Sequence, residues 1–260
     1  MIKIVSNHSN FGGSTITLIY LCNFFNERGI PCEFYGPQDW HLSKCKYGKH
    51  MNDLVIIPED RVIGHYRPKT ERNCKKSVLY TQEKHTFLLK CHELSGYESI
   101  IFSSQSLKDW HYYYKGPQNL LVIPTFQSKL KKVTPSPEGI AGVIGTISLF
   151  KQTHISIQRA LADGMKKVFL YGDYEPVYFE NVIKPLLGDN VIHKGLVDNM
   201  QEVYESISCV YHSSLYESAS LVLKECQHVG LPFYGNENIL DYETWDDDSI
   251  FDAWVEVLEY

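Results

Sequence analysis

The sequence predicts an α/β protein of two nucleotide-binding-type units, each a mostly parallel sheet, with a C-terminal helix packing back on the body. Three observations lead there. Short β-rich runs alternate with helical or loop segments along most of the chain, the pattern of parallel strands joined by covering helices. The first run, Ile2–Val5, passes into the loop SNHSNFGGST and then a long apolar-faced segment, the usual opening of a nucleotide-binding unit. A patternless stretch at 127–138, QSKLKKVTPSPE, carries Pro135 and Pro137 and separates two such series. The expected division is a first unit over 1–126, a linker over 127–138, a second unit over 139–245 and a terminal helix over 246–260.

In chain order, Ile2–Val5 reads as a buried strand, and Ile16–Arg28 as a helix ended by Gly29. Gly12 and Gly13 allow close backbone approach to a ligand, although tight turns use the same residues. Further strands are expected at CEFYG (32–36), LVIIP (54–58), SVLYT (77–81), SIIFS (99–103) and LLVIP (120–124). Ligands of such sheets bind at the carboxyl ends of the strands, which selects His8 to Gly13, Glu59, and Gln82 to His85. In the second half, GIAGVIG (139–145), KVFLYG (167–172), VIHKG (191–195) and CVYH (209–212) read as strands. Helices are expected over 154–163 and 176–187, the latter despite Pro185. Another runs to Ser208 behind a capping box of Asp198 and Gln201. The tail places Ile250, Phe251, Trp254, Val255 and Leu258 at helical spacing, and Asp246–Asp248 before it suit the helix dipole better than a metal.

Bulk properties narrow the class. At 260 residues, 43% hydrophobic and 13% aromatic, the chain can bury full cores. No apolar run reaches the roughly 18 residues of a membrane span, and the start MIKIVSNHSN lacks a signal-peptide core. A formal charge of −6 argues against a dedicated nucleic-acid binder, with lysine clusters at 44–49, 75–76 and 129–132 keeping that partner as an alternative. Seven cysteines without any C-x-x-C argue against a disulfide framework or zinc site and point to a reducing cytoplasm.

The stretch Tyr211–Phe233 carries the chemistry. A strand ends in a polar turn, His212–Tyr216, followed by Glu217. Ser218 and Ser220 are plausible caps of a helix bearing Leu221, Val222, Leu223, Cys226 and Val229, closed by Gly230 and Pro232. Glu217 lies in the loop leading into that helix and Glu225 about two turns inside it, so the two acids stand about 10–12 Å apart along the axis. That span suits a nucleotide sugar, whose pyrophosphate would meet the free N–H groups near Ser220 to Val222.

With these signals in order, residues 140–233 resemble the donor-binding domain of the retaining GT-B glycosyltransferases, the large family with an E-x7-E motif that includes sucrose- and mannose-transferring enzymes. LYGDY resembles its "G-x-G" turn. YESASLVLKECQHVGLPF resembles "E-G-F-G-L-x-x-x-E-A-x-A-x-G-x-P-V". LLVIPTF at 120–126 resembles the "V-I-P-N-G-V" that closes the acceptor domain. The resemblance implies that Glu225 binds the donor ribose, Glu217 contacts the transferred sugar, and Ser220 with Leu221 offer N–H groups to the diphosphate. It implies that Lys151 neutralises the diphosphate, Gly145 ends the first strand of the domain, Leu196 and Val197 border the base, and Gly13 meets the phosphates. The family's arginine is Thr146 here, and its acceptor-side histidine has no clean match; His85 is the candidate substitute, and an ordinary exposed histidine explains it equally well.

The implied activity is sugar transfer from a nucleotide-diphosphate sugar to the hydroxyl of a glycan, a lipid-linked sugar or another compound, with retention and neither metal nor cofactor. Three alternatives remain at this stage: the same fold glycosylating modified DNA bases, an epimerase or hydrolase of sugar nucleotides, and a non-catalytic nucleotide-sugar or glycan-binding module.

Overall fold

The first sheet is built from β1 (Ile2–Ser6), β2 (Cys32–Gly36), β3 (Gly48–His50), β4 (Arg61–His65), β5 (Lys76–Thr81), β6 (Ser99–Phe102) and β7 (Asn119–Val122). All are parallel, in the order β3-β2-β1-β4-β5-β6-β7. These are features of a computed structural model that describes every residue except 9–11, 38–43, 66–72, 83–95, 112–115, 117, 126–129, 219 and 237–244. Two compact units form, Met1–Gln127 with Tyr242–Tyr260, and Ser128–Asp241.

Helix α1 (Gly13–Glu27) covers one face of the first sheet because Leu18, Ile19, Leu21, Cys22, Phe24 and Phe25 fall on its buried side. They join Ile2, Ile4, Phe34, Ile63, Val78, Tyr80 and Ile101 in one core. A short helix, α2 (Gln105–Trp110), is capped by Ser104, whose hydroxyl accepts from the Leu107 N–H at 3.2 Å.

One strand differs from the sequence expectation. Residues 54–57 are not a strand; the neighbour of β1 is Arg61–His65. Val55 and Ile57 are exposed, so the apolar run LVIIP does not mark a buried element. The chain instead turns at Pro58–Glu59 into buried Asp60, which pairs with Lys3 at 2.7 Å and accepts from the Ile57 N–H at 2.9 Å. Glu59 consequently sits before β4, at the amino end of that strand, and not among the carboxyl ends where it was expected. The edge strand β3 was also unforeseen; GKH has no β-rich signature.

The second sheet has five strands, β8 (Ile140–Ile144), β9 (Lys167–Tyr171), β10 (Val191–Gly195), β11 (Cys209–His212) and β12 (Phe233–Gly235). It too is parallel, in the order β10-β9-β8-β11-β12. Helix α3 (Thr153–Ala162) follows β8, and its Ile157 and Ala160 enter a core with Val143, Val168, Leu170 and Ile183. The segment after β9 starts as a short α-helix, α4 (Pro176–Tyr178), widens to a π-turn over Phe179–Ile183 and tightens to 3-10 geometry over Lys184–Leu186. Pro185 lacks an N–H and crowds the preceding turn, which accounts for the departure from regular helix. Helix α5 (Met200–Ser206) is capped by Asn199, one residue later than the expected Asp198. The Asn199 carboxamide accepts from the Gln201 N–H at 3.1 Å and donates to Glu202 at 2.7 Å. Helix α6 (Leu221–Val229) is closed by Gly230 in the left-handed region.

In both sheets the strand order reverses direction beside the first strand of the unit, between β1 and β4 and between β8 and β11. Connections leave to opposite sides at such a point, opening a crevice at the carboxyl ends where ligands of open α/β sheets bind. At the carboxyl ends of β8 and β9 two glycines let the chain pass at close range. Gly172 has φ +139°, and a Cβ placed on it would lie 2.1 Å from the Gly145 carbonyl oxygen. Gly172→Ala is therefore expected to destabilise the chain by roughly 2 kcal/mol or more, read as a lowered urea midpoint.

The last helix, α7 (Asp247–Leu258), belongs to the first unit. Ile250, Trp254 and Leu258 are buried in its core, with the Trp254 ring edge-on to Tyr80 at 5.1 Å. Asp246 caps it by accepting from the Ser249 N–H at 2.7 Å, the role the acidic triplet suggested.

Candidate active site

The carboxyl ends of β8 and β11 bring together two of the residues selected from sequence, and one that was not. Lys151 Nζ and His212 Nε2 both contact the same oxygen, Glu217 Oε1, the histidine at 2.7 Å. Lys151 stands in the loop after β8, where its own N–H donates to Ser148 Oγ at 3.2 Å. The next residue, Gln152, is left-handed at φ 47° and turns the chain into α3. A non-glycine residue held there costs about 1 kcal/mol, and such strain gathers where a loop must aim a side chain. His212 is the last residue of β11 and is buried.

The loop between β11 and α6 is fastened over its first three residues. The Ser213 N–H donates to Ser156 Oγ at 3.0 Å and the Leu215 N–H to the Phe150 carbonyl at 3.1 Å. Arg159 donates to Ser213 Oγ and to Asn236 Oδ1, at 3.1 and 3.2 Å, and Asn236 donates back to the Ser214 carbonyl. The loops carrying Lys151 and Glu217 are thus joined by backbone as well as by side chains.

Electrostatics follow from this packing. Burial pushes the Glu217 carboxyl upward, but the His212 hydrogen bond and the Lys151 charge outweigh it and hold the acid at about 2. Its folded pKa lies below the ordinary 4.5, so the stabilisation is complete above about pH 4.5 and is lost as pH falls through about 2. Parent protein is expected to lose stability over that window more steeply than Glu217→Gln, measured by urea unfolding at stepped pH.

Ser220 caps α6, its hydroxyl accepting from the Leu223 N–H at 3.2 Å. Leu221 and Val222 occupy the first turn, where N–H groups have no intrahelical acceptor. Ser218 is not the cap. Glu225 is the fifth residue of the helix, one turn in and not two. It is buried and accepts from the Tyr204 hydroxyl at 2.6 Å. Both glutamates are therefore held by protein partners instead of facing open solvent.

The remaining selected residues are dispersed around this centre. Gly145 ends β8 at φ +121°, its N–H bonded to the Tyr171 carbonyl, and Thr146 beside it is exposed. Of the pair after β10, Leu196 is exposed while Val197 packs partly against the core. In the other unit, Gly13 opens α1 behind Gly12. His85 and Glu83 lie outside the described residues.

The first unit carries its own polar group at the corresponding strand ends. Ser6 Oγ and His65 Nδ1 are 3.0 Å apart, and His8 Nδ1 and Thr15 Oγ1 3.2 Å. Gln82 is tied to α1, accepting from Thr17 at 2.6 Å and donating to the Ser14 carbonyl at 2.9 Å. The sequence carries no signal for His65, because RVIGH is polar at both ends, nor for His212, whose pairing with Glu217 is a matter of space.

Among the described residues no three His, Cys, Asp or Glu side chains are grouped as metal ligands would be, and no helix is long and apolar enough to cross a membrane. No protein-family profile matches the chain, and no curated protein matches it by sequence. Solved structures do match. The pneumococcal O-GlcNAc transferase GtfA, in complex with UDP and GlcNAc, superposes with a TM-score of 0.70 at 10% identity, over 99% of this chain and 91% of that one. HepE of Anabaena, in complex with UDP and glucose, gives 0.68 at 15% identity over 92% and 81%. WaaG, a glycosyltransferase involved in lipopolysaccharide biosynthesis, gives 0.65 at 13% identity over 100% and 91%. With its two parallel sheets and this likeness, the chain has the fold of the GT-B glycosyltransferases.

Proposed function

We propose that the chain is a glycosyltransferase that moves a sugar from a nucleotide-diphosphate sugar to an acceptor hydroxyl, with retention at the anomeric carbon. The observation that carries this reading is the joining of Lys151 and Glu217, with His212, at the strand-order reversal of the second sheet, directly before the capped start of α6. The fold neighbours in complex with UDP and a sugar support it.

In this reading the chief task is to stabilise negative charge on the departing diphosphate. Lys151 and the first-turn N–H groups of Leu221 and Val222 supply preorganised positive charge for it. Glu217 orients the transferred sugar, and Glu225 takes the ribose hydroxyls with Leu196 beside the base. The acceptor hydroxyl attacks from the face the diphosphate leaves. Its oxygen bonds to the anomeric carbon as the bond to phosphate oxygen breaks, and its proton passes to the departing diphosphate. The acceptor is a glycan, a lipid-linked sugar or another hydroxyl compound.

The test is release of nucleoside diphosphate from a panel of nucleotide sugars, with and without acceptors, products being identified by mass spectrometry. Acceptor-dependent release with a glycosylated product of unchanged anomeric configuration is expected. Release without any acceptor would make the chain a hydrolase, and saturable binding without product would make it a binding module.

A further inference from the structure

We infer that His212 is a positioning residue that makes Lys151 releasable: it keeps Glu217 in place while the lysine moves from that carboxylate to the donor's phosphates. This rests on the glycosyltransferase reading above.

Lys151 and His212 converge on one oxygen, Glu217 Oε1, and are the two side chains that reach this acid among the described residues. They differ in freedom. The His212 side chain is 5% exposed at the end of a strand, whereas Lys151 is 27% exposed on a flexible stem in a loop. Only the lysine can swing to a ligand. The Glu217 side chain is itself 13% exposed, and a carboxylate so enclosed is costly to leave without a partner. The strand-side half of its loop is fastened as well, Ser213 to Ser156 and Leu215 to Phe150.

With His212 in place, departure of Lys151 leaves Glu217 still hydrogen-bonded and ionised. Without it, Lys151 stays locked on the acid as its remaining partner, and the phosphates are denied their cation. His212 therefore couples phosphate affinity to the charge on Glu217.

Calorimetric titration of UDP, ADP, GDP and inorganic pyrophosphate tests this in the parent, His212→Leu, His212→Gln, Glu217→Gln and the His212→Leu/Glu217→Gln double variant. His212→Leu is expected to weaken the probes that bind by about tenfold, the scale of one hydrogen bond to a charged group. His212→Gln, whose amide can still donate to Oε1, should recover most of that loss. Glu217→Gln should bind more tightly than the parent because it no longer competes for Lys151. In that background His212→Leu should change affinity by less than about twofold, since the charge it serves is gone. Melting temperatures establish that each variant folds, and His212→Asn, too short to reach the acid, replaces the leucine variant if that one does not.

Equal weakening by His212→Leu in both backgrounds would mark the histidine as merely structural and overturn the inference. So would parent-like affinity in His212→Leu alongside a clear loss in Lys151→Ala. If the parent binds none of the probes, or Lys151→Ala binds them as tightly as the parent, the donor-site reading falls, and this inference with it.

Discussion

Replacing Lys151 by alanine is expected to slow sugar transfer by about 10²-fold or more, the usual cost of removing one preorganised charge stabiliser from a site where negative charge develops. The expectation follows from place and partner. Lys151 sits at the strand-order reversal of the second sheet, and its ammonium is already held against a carboxylate, as it would be held against a phosphate. Most of the loss should appear in kcat, because charge on the leaving diphosphate grows towards the transition state. Arginine at the same position should recover part of the rate, keeping the charge while changing its reach. Turnover by Lys151→Ala at the parental rate would remove the residue from the mechanism.

Replacing Glu225 by alanine should weaken binding of the donor by about 10- to 100-fold, the scale of losing hydrogen bonds from ribose hydroxyls to a charged acceptor. The bond from Tyr204 raises a competing explanation, that Glu225 serves the packing between α5 and α6. Tyr204→Phe separates the two. It removes that hydroxyl and leaves the carboxylate, so it should cost about 2 kcal/mol of stability with little change in donor affinity. If Tyr204→Phe weakens the donor as much as Glu225→Ala does, the ribose role is wrong.

Much of the fold was legible because short parallel strands have a strong local signature. CEFYG, SVLYT, SIIFS, KVFLYG and VIHKG all form strands within a residue of their expected bounds. LVIIP has the same signature, yet Val55 and Ile57 are exposed and the strand beside β1 is Arg61–His65. RVIGH was passed over for the converse reason: its arginine and histidine are polar, yet Val62, Ile63 and His65 are all buried. The cap of α5 fell one residue late because Asp198, Asn199 and Glu202 offer two overlapping capping patterns, and only geometry selects between them.

For the site, position in sequence carried Glu217, Ser220 and Glu225, which lie on one loop and helix. Lys151 is 66 residues from Glu217, and its place came from resemblance to a family; that the two touch is a property of the folded sheet. His212 is only five residues from the acid, but nothing in HSSLYE distinguishes a histidine aimed at Glu217 from one in a solvent-exposed turn. Tyr204 gives no local signal either, since it stands 21 positions before Glu225.

A crystal of the protein soaked with a nucleotide-diphosphate sugar it is found to bind gives the most direct test. The expected density has the diphosphate between Lys151 Nζ and the N–H groups of Leu221 and Val222, the ribose at Glu225 and the sugar at Glu217. A nucleotide sugar bound elsewhere, with Lys151 still on Glu217 and the start of α6 unoccupied, would contradict it.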